Sequence, residues 1–131
     1  MQYRSLKGTK VSEVGLGTWQ LGSSDWGVVD DKEAFLILKT FTDNGGNFID
    51  TADVYGMGIS EQVIGKFKKT VNEQLYVATK LGRRSDKGFG WPDNFTYDGM
   101  KRQVESSLEN LDVPQLFLEQ LHCIPTQELR K

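Results

Sequence analysis

Asp50, Tyr55, Lys80 and His122 combine, in this chain of 131 residues, the side-chain types that proton chemistry needs with positions at or just after the ends of strand-forming runs. Asp50 and Tyr55 lie in one stretch, Asn47-Phe48-Ile49-Asp50-Thr51-Ala52-Asp53-Val54-Tyr55-Gly56-Met57-Gly58-Ile59-Ser60-Glu61. A short apolar strand leads to a carboxylate, and a glycine-bearing loop then carries a phenol. Ser60 is placed to offer its hydroxyl to the start of the next helix. Lys80 closes the run Leu75-Tyr76-Val77-Ala78-Thr79-Lys80, and His122 closes Leu116 to His122. A free phenol has a pKa of about 10, and a neighbouring ammonium favours its phenolate. Lys80 is the candidate ammonium, Asp50 the carboxylate that holds it, and His122 a hydrogen-bonding partner for the same substrate oxygen. Such a pocket would protonate an alkoxide forming from a carbonyl. The chain has no redox-active set of side chains, so the hydride is expected from a nicotinamide cofactor.

Taken singly, each residue has a plainer role. Asp50 could cap a loop, Tyr55 could be a packing residue with a wet hydroxyl, Lys80 could be solvated at a rim, and His122 could be a satisfied core histidine. Asp53 is expected to cap the turn through Val54 and Tyr55. Cys123 is expected to be buried filler. The argument for chemistry rests on the four occurring together on successive strand ends.

The elements that position them follow in order. Tyr3–Leu6 and Lys10–Ser12 flank a Lys7-Gly8-Thr9 turn, predicting a hairpin. Glu13–Thr18 reads as a short strand before a loop from Trp19 to Val29. Asp30, with Glu33 three residues on, predicts a capped helix whose apolar stripe is Ala34, Ile37, Leu38 and Phe41. Asn44-Gly45-Gly46 stops it. A strand over about residues 47–51 and a helix from near Ser60, packing through Val63, Ile64 and Phe67, come next. After the Leu75–Lys80 strand, residues 82–95 form a long loop holding Phe89, Trp91 and Phe95, with Trp91 a candidate pocket wall or a packed lid aromatic. Thr96 is expected to cap a helix with the stripe Met100, Val104, Leu108 and Leu111, and Pro114 bars its continuation.

Strands and helices alternate with crossover-length connections, so a parallel sheet is expected. Both a doubly wound sheet and a (β/α)8 barrel fit. Gly15-Leu16-Gly17-Thr18-Trp19-Gln20 begins like a dinucleotide fingerprint but has Gln20 where the third glycine belongs. Thr18, Asp50, Lys80 and His122 each end a different strand, the face where barrel enzymes keep their chemistry. The predicted class is therefore α/β of the parallel (β/α)8 TIM-barrel type.

Composition narrows the partners. A formal net charge of -2 with scattered basic residues argues against nucleic acid or a membrane surface. No apolar run approaches the ~20 residues of a membrane span, and the first residues lack a secretory core. One cysteine excludes an internal disulfide and a cysteine-based zinc cage. The expectation is a cytoplasmic protein without a metal.

The chain resembles the amino-terminal half of the aldo-keto reductases over nearly all its length. The motifs are Asn47 through Gly56 with Ser60-Glu61 and Ile64-Gly65, supported by Gly15-Leu16-Gly17-Thr18-Trp19, Val77-Ala78-Thr79-Lys80, Ser107-Leu108 with Leu111, and Gln120-Leu121-His122. The resemblance implies a (β/α)8 barrel with residues 3–12 as a hairpin closing its bottom, residues 13–122 as β/α units and residues 123–131 beginning the next connection. It implies reduction of small aldehydes and ketones with NADPH, less often NADH. Tyr55 is then the proton donor, Lys80 and Asp50 tune it, and His122 orients the carbonyl. Gly17, Thr18, Trp19 and Asp50 would approach the nicotinamide end of the cofactor, and Trp19 would also wall the substrate pocket.

Two departures qualify that implication. A full barrel takes about 250 residues, so the present residues would hold only part of the cofactor seat. Weak or absent activity is then expected, with open sheet edges that self-associate or accept a complementary half barrel. A non-enzymatic regulatory or interaction protein on the same fold, or an inactive truncated gene product, is the alternative. In addition, Phe117 stands where the resembled family often has an acid and Glu119 where it has an apolar residue. Strand alternation would point Glu119 into the helix layer, where an unpaired carboxylate is costly.

Overall fold

The computed structural model describes residues 1–22, 30–85 and 93–130. Phe89 and Trp91, and the expectations attached to them, lie outside the described residues. Two strands, β1 (Tyr3–Leu6) and β2 (Thr9–Ser12), pair antiparallel about Lys7 and Gly8. The chain then alternates: β3 (Leu16–Gly17), α1 (Asp31–Asp43), β4 (Phe48–Asp50), α2 (Ile59–Lys68), β5 (Tyr76–Leu81), α3 (Tyr97–Leu111), β6 (Leu118–Leu121) and α4 (Thr126–Leu129). The strands form one parallel sheet in the order β3-β4-β5-β6. Among the described residues its edges are β3 and β6.

The hairpin docks at the amino end of β4. Asn47 Oδ1 accepts from the Ser12 amide at 2.6 Å, and Ser12 Oγ accepts from the Asn47 and Phe48 amides. Tyr3 donates its hydroxyl to the Gly45 carbonyl. The hairpin therefore sits at the opposite end of the sheet from Lys80 and His122.

Period-two alternation divides the sheet into two faces. Ile49 and Val77 are buried against the helices, in one core with Leu38, Ile64 and Phe67, and Leu81 is buried two residues further along the same face than Thr79. Asp50 and Lys80 are on the other face, half-buried. Register carries this across the strands: Asp50 pairs with Gly17 and Ala78, and Lys80 pairs with Gln120.

Helix caps follow from local chemistry. Asp30 caps α1, its Oδ1 accepting from the Glu33 amide at 2.8 Å, and Thr96 caps α3 by accepting from the Gly99 amide. The α2 cap is not Ser60. Gly58 holds that position with φ of 94°, a left-handed conformation that glycine adopts without a Cβ penalty. The Ser60 side chain is fully buried on the sheet side instead.

Other expectations change in detail. β3, β4 and β6 are shorter than the expected runs, whereas β5 keeps the expected six residues, shifted by one to Tyr76–Leu81. Ile37 is 37% exposed, and Thr42 takes the buried place at the end of the α1 stripe. On α3 the buried residues are Gly99, Gln103, Ser107 and, from the expected stripe, Leu111, while Met100, Val104 and Leu108 are half-buried. Gln103 is drawn inward because it satisfies main chain after β5: its Oε1 accepts from the Gly82 amide and its Nε2 donates to the Asn94 carbonyl. Cys123 is exposed, at φ of 56° in the turn after β6, rather than buried filler. Tyr55's amide donates to the Ala52 carbonyl, so the main chain holds that turn, and Asp53 is buried rather than capping it.

Candidate active site

Asp50 leaves β4 at its carboxyl end, and Lys80 leaves β5 one strand over. The ammonium of Lys80 reaches Asp50 Oδ1 and Oδ2 at 2.8 Å each and the Thr51 carbonyl at 2.6 Å. An ammonium has three N–H bonds, so all three are used. The Lys80 side chain is 16% exposed and that of Asp50 42%, so the pair sits at a rim. It is screened less than a surface pair and is more accessible than a core pair.

Tyr55 stands over this pair. Lys80 Nζ is 5.3 Å from its ring centroid, within cation–π range. With every N–H of Lys80 directed elsewhere, the ammonium acts on the phenol through its charge in this arrangement. His122 meets the Tyr55 ring edge-on at 6.3 Å between centroids, and Trp19 stacks beside it at 6.4 Å. The His122 amide donates to the Leu81 carbonyl at 2.7 Å, extending the β5–β6 ladder by one bond and bringing the imidazole to the same rim. All four candidate polar residues thus come together at one end of the sheet.

Burial lowers the pKa of His122, and the positive charges of Arg83 and Lys80 lower it further, while Asp50 opposes them. The net effect favours the uncharged imidazole. Its Nδ1 is buried without a hydrogen-bond partner among the described residues. A neutral imidazole can hydrogen-bond a carbonyl oxygen without adding charge, through the ring nitrogen other than the buried Nδ1.

The loop from Asp50 to Tyr55 is held tightly. The Thr51 and Asp53 amides donate to the Ala78 and Lys80 carbonyls of β5, and the Ser60 amide donates to the Tyr55 carbonyl. Gly56 has φ of 59°, and a Cβ there would come within 1.7 Å of the Gly22 carbonyl oxygen. Only glycine permits that crossing, which fixes the path of the chain just after Tyr55.

The residues expected near a cofactor divide. Gly17 is exposed with open space around it, and Trp19 is 46% exposed beside Tyr55. Thr18 is fully buried. Its hydroxyl donates to the Asp50 carbonyl at 2.9 Å and lies 3.0 Å from Ser60 Oγ. The Thr18 hydroxyl thus supports Asp50 from behind rather than opening onto the rim.

Sequence reasoning gives no role to a buried polar cluster behind the sheet. Glu61 is fully buried on α2, its Oε1 accepting from Thr79 at 2.6 Å and its Oε2 from Asn110 at 2.9 Å. A carboxylate on the helical stripe shared with Ile64 and Lys68 is the available signal. Glu119 lies beside this cluster, paired in register with Thr79 and facing the helices as alternation predicts. Both its carboxylate oxygens are buried without a hydrogen-bond partner among the described residues. Burial, with repulsion from Glu61 and Asp53, pushes its pKa up to about 8.

The sequence profile of the aldo/keto reductase family matches residues 13–128. The chain belongs to that family. It is 34% identical to the aldo-keto reductase YhdN of Bacillus subtilis over 98% of its own length, but covers 41% of that relative. Its fold matches a Pseudomonas aeruginosa chain described as an aldo-keto reductase, with a TM-score of 0.83 and 32% identity, over 98% of this chain and 51% of that one. An aldo/keto reductase from Klebsiella pneumoniae, solved in complex with NADP and acetate, matches with a TM-score of 0.70 and 26% identity over 93% of this chain and 40% of that one. The architecture is a partial (β/α)8 barrel: an antiparallel hairpin and a four-stranded parallel sheet.

Proposed function

We propose that this chain carries the proton-delivering half of a carbonyl reductase site that reduces small aldehydes or ketones to alcohols with NADPH, or less readily NADH. One observation carries the reading: the Asp50–Lys80 pair stands under the Tyr55 ring, with His122 at the ring's edge. Tyr55 gives its hydroxyl proton to the oxygen that becomes the alcohol. The Lys80 ammonium stabilises the phenolate left behind, and Asp50 holds that ammonium charged and in place. His122, uncharged, orients the carbonyl oxygen. Gly17 and Trp19, open at the rim beside Tyr55, fit the flat end of a nicotinamide, and Thr18 supports Asp50 from behind. A bound nicotinamide supplies the hydride to the carbonyl carbon. A cytoplasmic setting is part of this reading.

The chain spans 40–51% of the relatives reported above, so weak turnover is expected from these residues alone. NADPH consumption with 4-nitrobenzaldehyde tests the proposal, with Tyr55→Phe as the control. Turnover lost on that substitution supports it, and turnover that survives the substitution excludes Tyr55 as the proton donor.

The β6 edge, unpaired among the described residues, favours a second reading, in which the chain acts through association with itself or with a complementary half barrel. Phe117 and Leu121, in or next to the β6 edge strand, are 37% and 49% exposed. Size-exclusion chromatography with hydrogen exchange separates the two. A well-protected monomer that binds NADPH excludes the second reading, and a stable assembly that fails to bind NADPH favours it.

A further inference from the structure

The Asp50–Tyr55 segment must hold a carboxylate at one end and a phenol at the other at a fixed separation from Lys80. The polar contacts that could set this separation converge on Ser60, which is fully buried. Its amide donates to the Tyr55 carbonyl at 3.2 Å. Its hydroxyl lies 2.9 Å from Thr51 Oγ1, 3.0 Å from the Thr18 carbonyl and 3.0 Å from Thr18 Oγ1.

Proton accounting orders these contacts. Each hydroxyl has one hydrogen to give. Thr18 gives its own to the Asp50 carbonyl at 2.9 Å. The Thr18 carbonyl can only accept, so the Ser60 hydrogen goes toward Thr18, shared between its two oxygens. Thr51 then supplies its hydrogen to Ser60 Oγ. The result is a directed chain, Thr51 to Ser60 to Thr18 to the Asp50 main chain. The carbonyl of Thr51 is itself the third acceptor of the Lys80 ammonium.

We infer that Ser60 is a positioning residue: it clamps both ends of the Asp50–Tyr55 segment and thereby sets how the Lys80 ammonium sits beneath the phenol. This rests on the reading of Asp50, Tyr55 and Lys80 as the proton machinery, but its test needs neither cofactor nor turnover. The Ser60→Ala variant keeps the amide contact to Tyr55 and removes only the hydroxyl. The readout is the rate at which the Lys80 ammonium hydrogens exchange with water, followed by nitrogen-15 NMR, together with the ring signals of Tyr55.

Loss of the hydrogen bonds that the Ser60 hydroxyl gives to Thr18 and takes from Thr51 is expected to speed Lys80 exchange about fivefold and to shift the Tyr55 ring signals. Thr42→Ala removes a different buried hydroxyl, bonded to the Lys39 carbonyl of its own helix, and should leave both readouts unchanged. Should Ser60→Ala fail to fold, Thr51→Val removes the far end of the same chain, and a smaller change in the same direction is expected. Unchanged Lys80 exchange in the folded variant, or the same change in Thr42→Ala, would overturn the inference. Turnover that survives Tyr55→Phe, in a chain whose Lys80 still loosens in Ser60→Ala, would sink the functional reading and leave this one standing.

Discussion

Two carboxylates on different strands of one sheet, Asp50 and Glu119, meet opposite fates. Asp50 is partly exposed at the carboxyl-end rim, and both its oxygens accept from Lys80 at 2.8 Å. Glu119 faces the helix layer, where neither oxygen has a hydrogen-bond partner among the described residues and where Glu61 and Asp53 repel it. The difference separates two uses of buried charge. At the rim a cation offsets desolvation and leaves a charged pair poised beside a phenol. Behind the sheet the carboxyl avoids the cost by keeping its proton. Perturbed titration alone therefore does not mark the chemistry here; convergence with Tyr55 and His122 does.

The largest expected effect comes from removing the cation at the rim. Lys80→Met should lower the rate of NADPH consumption with 4-nitrobenzaldehyde by about a hundredfold or more, the scale of a lost acid–base contribution. Retained activity would make Lys80 and Glu119 equivalent bystanders and erase the contrast.

Glu119 should respond in the opposite sense, through stability. Its unfolded value is the ordinary 4.5 and its folded value about 8. Below the lower value both states hold the proton, and nothing is lost. Between the two values the unfolded chain releases its proton while the folded chain keeps it, so stability falls as pH rises and levels off above the higher value. Glu119→Gln should raise stability by roughly 2 kcal/mol at alkaline pH, after allowance for solvent screening, and by close to zero in acid. Urea unfolding at the two extremes checks this, and an equal increment at both would contradict it. His122 runs the other way: its lowered value means stability is lost as pH falls below the ordinary imidazole range.

A smaller effect sharpens the pair from its acidic side. Asp50→Asn should destabilise by about 1 kcal/mol, because it takes the counter-charge from a largely buried ammonium while the Thr51 carbonyl remains. The same acid-to-amide change thus carries opposite signs at Asp50 and Glu119 in urea unfolding at alkaline pH. Matching signs would mean that the two environments do not differ as described.

Much of this contrast can be read in the sequence, because strand alternation and register are strong constraints. Asp50, Lys80 and His122 end consecutive strand-forming runs, and parallel register then brings them to one rim. Glu119 falls on the helix side by the same rule. The remainder escapes because it depends on satisfying main-chain groups. Gln103 lies off the apolar stripe of Met100, Val104, Leu108 and Leu111, yet it turns inward to serve Gly82 and Asn94. Ser60 reads as a helix cap because of its type and place, but the left-handed Gly58 takes the cap and leaves the hydroxyl for Thr18 and Thr51. The burial of Thr18 likewise follows from that network, which no local pattern announces.

Acetate, an oxygen anion of carbonyl size, probes the convergence of these groups most directly. Followed by NMR in an acetate titration, the side-chain signals of Tyr55 and His122 should shift together along one saturation curve, and both shifts should vanish in Lys80→Met. Signals that follow two separate curves, or that stay fixed while acetate binds elsewhere, would contradict a single reacting oxygen at this rim.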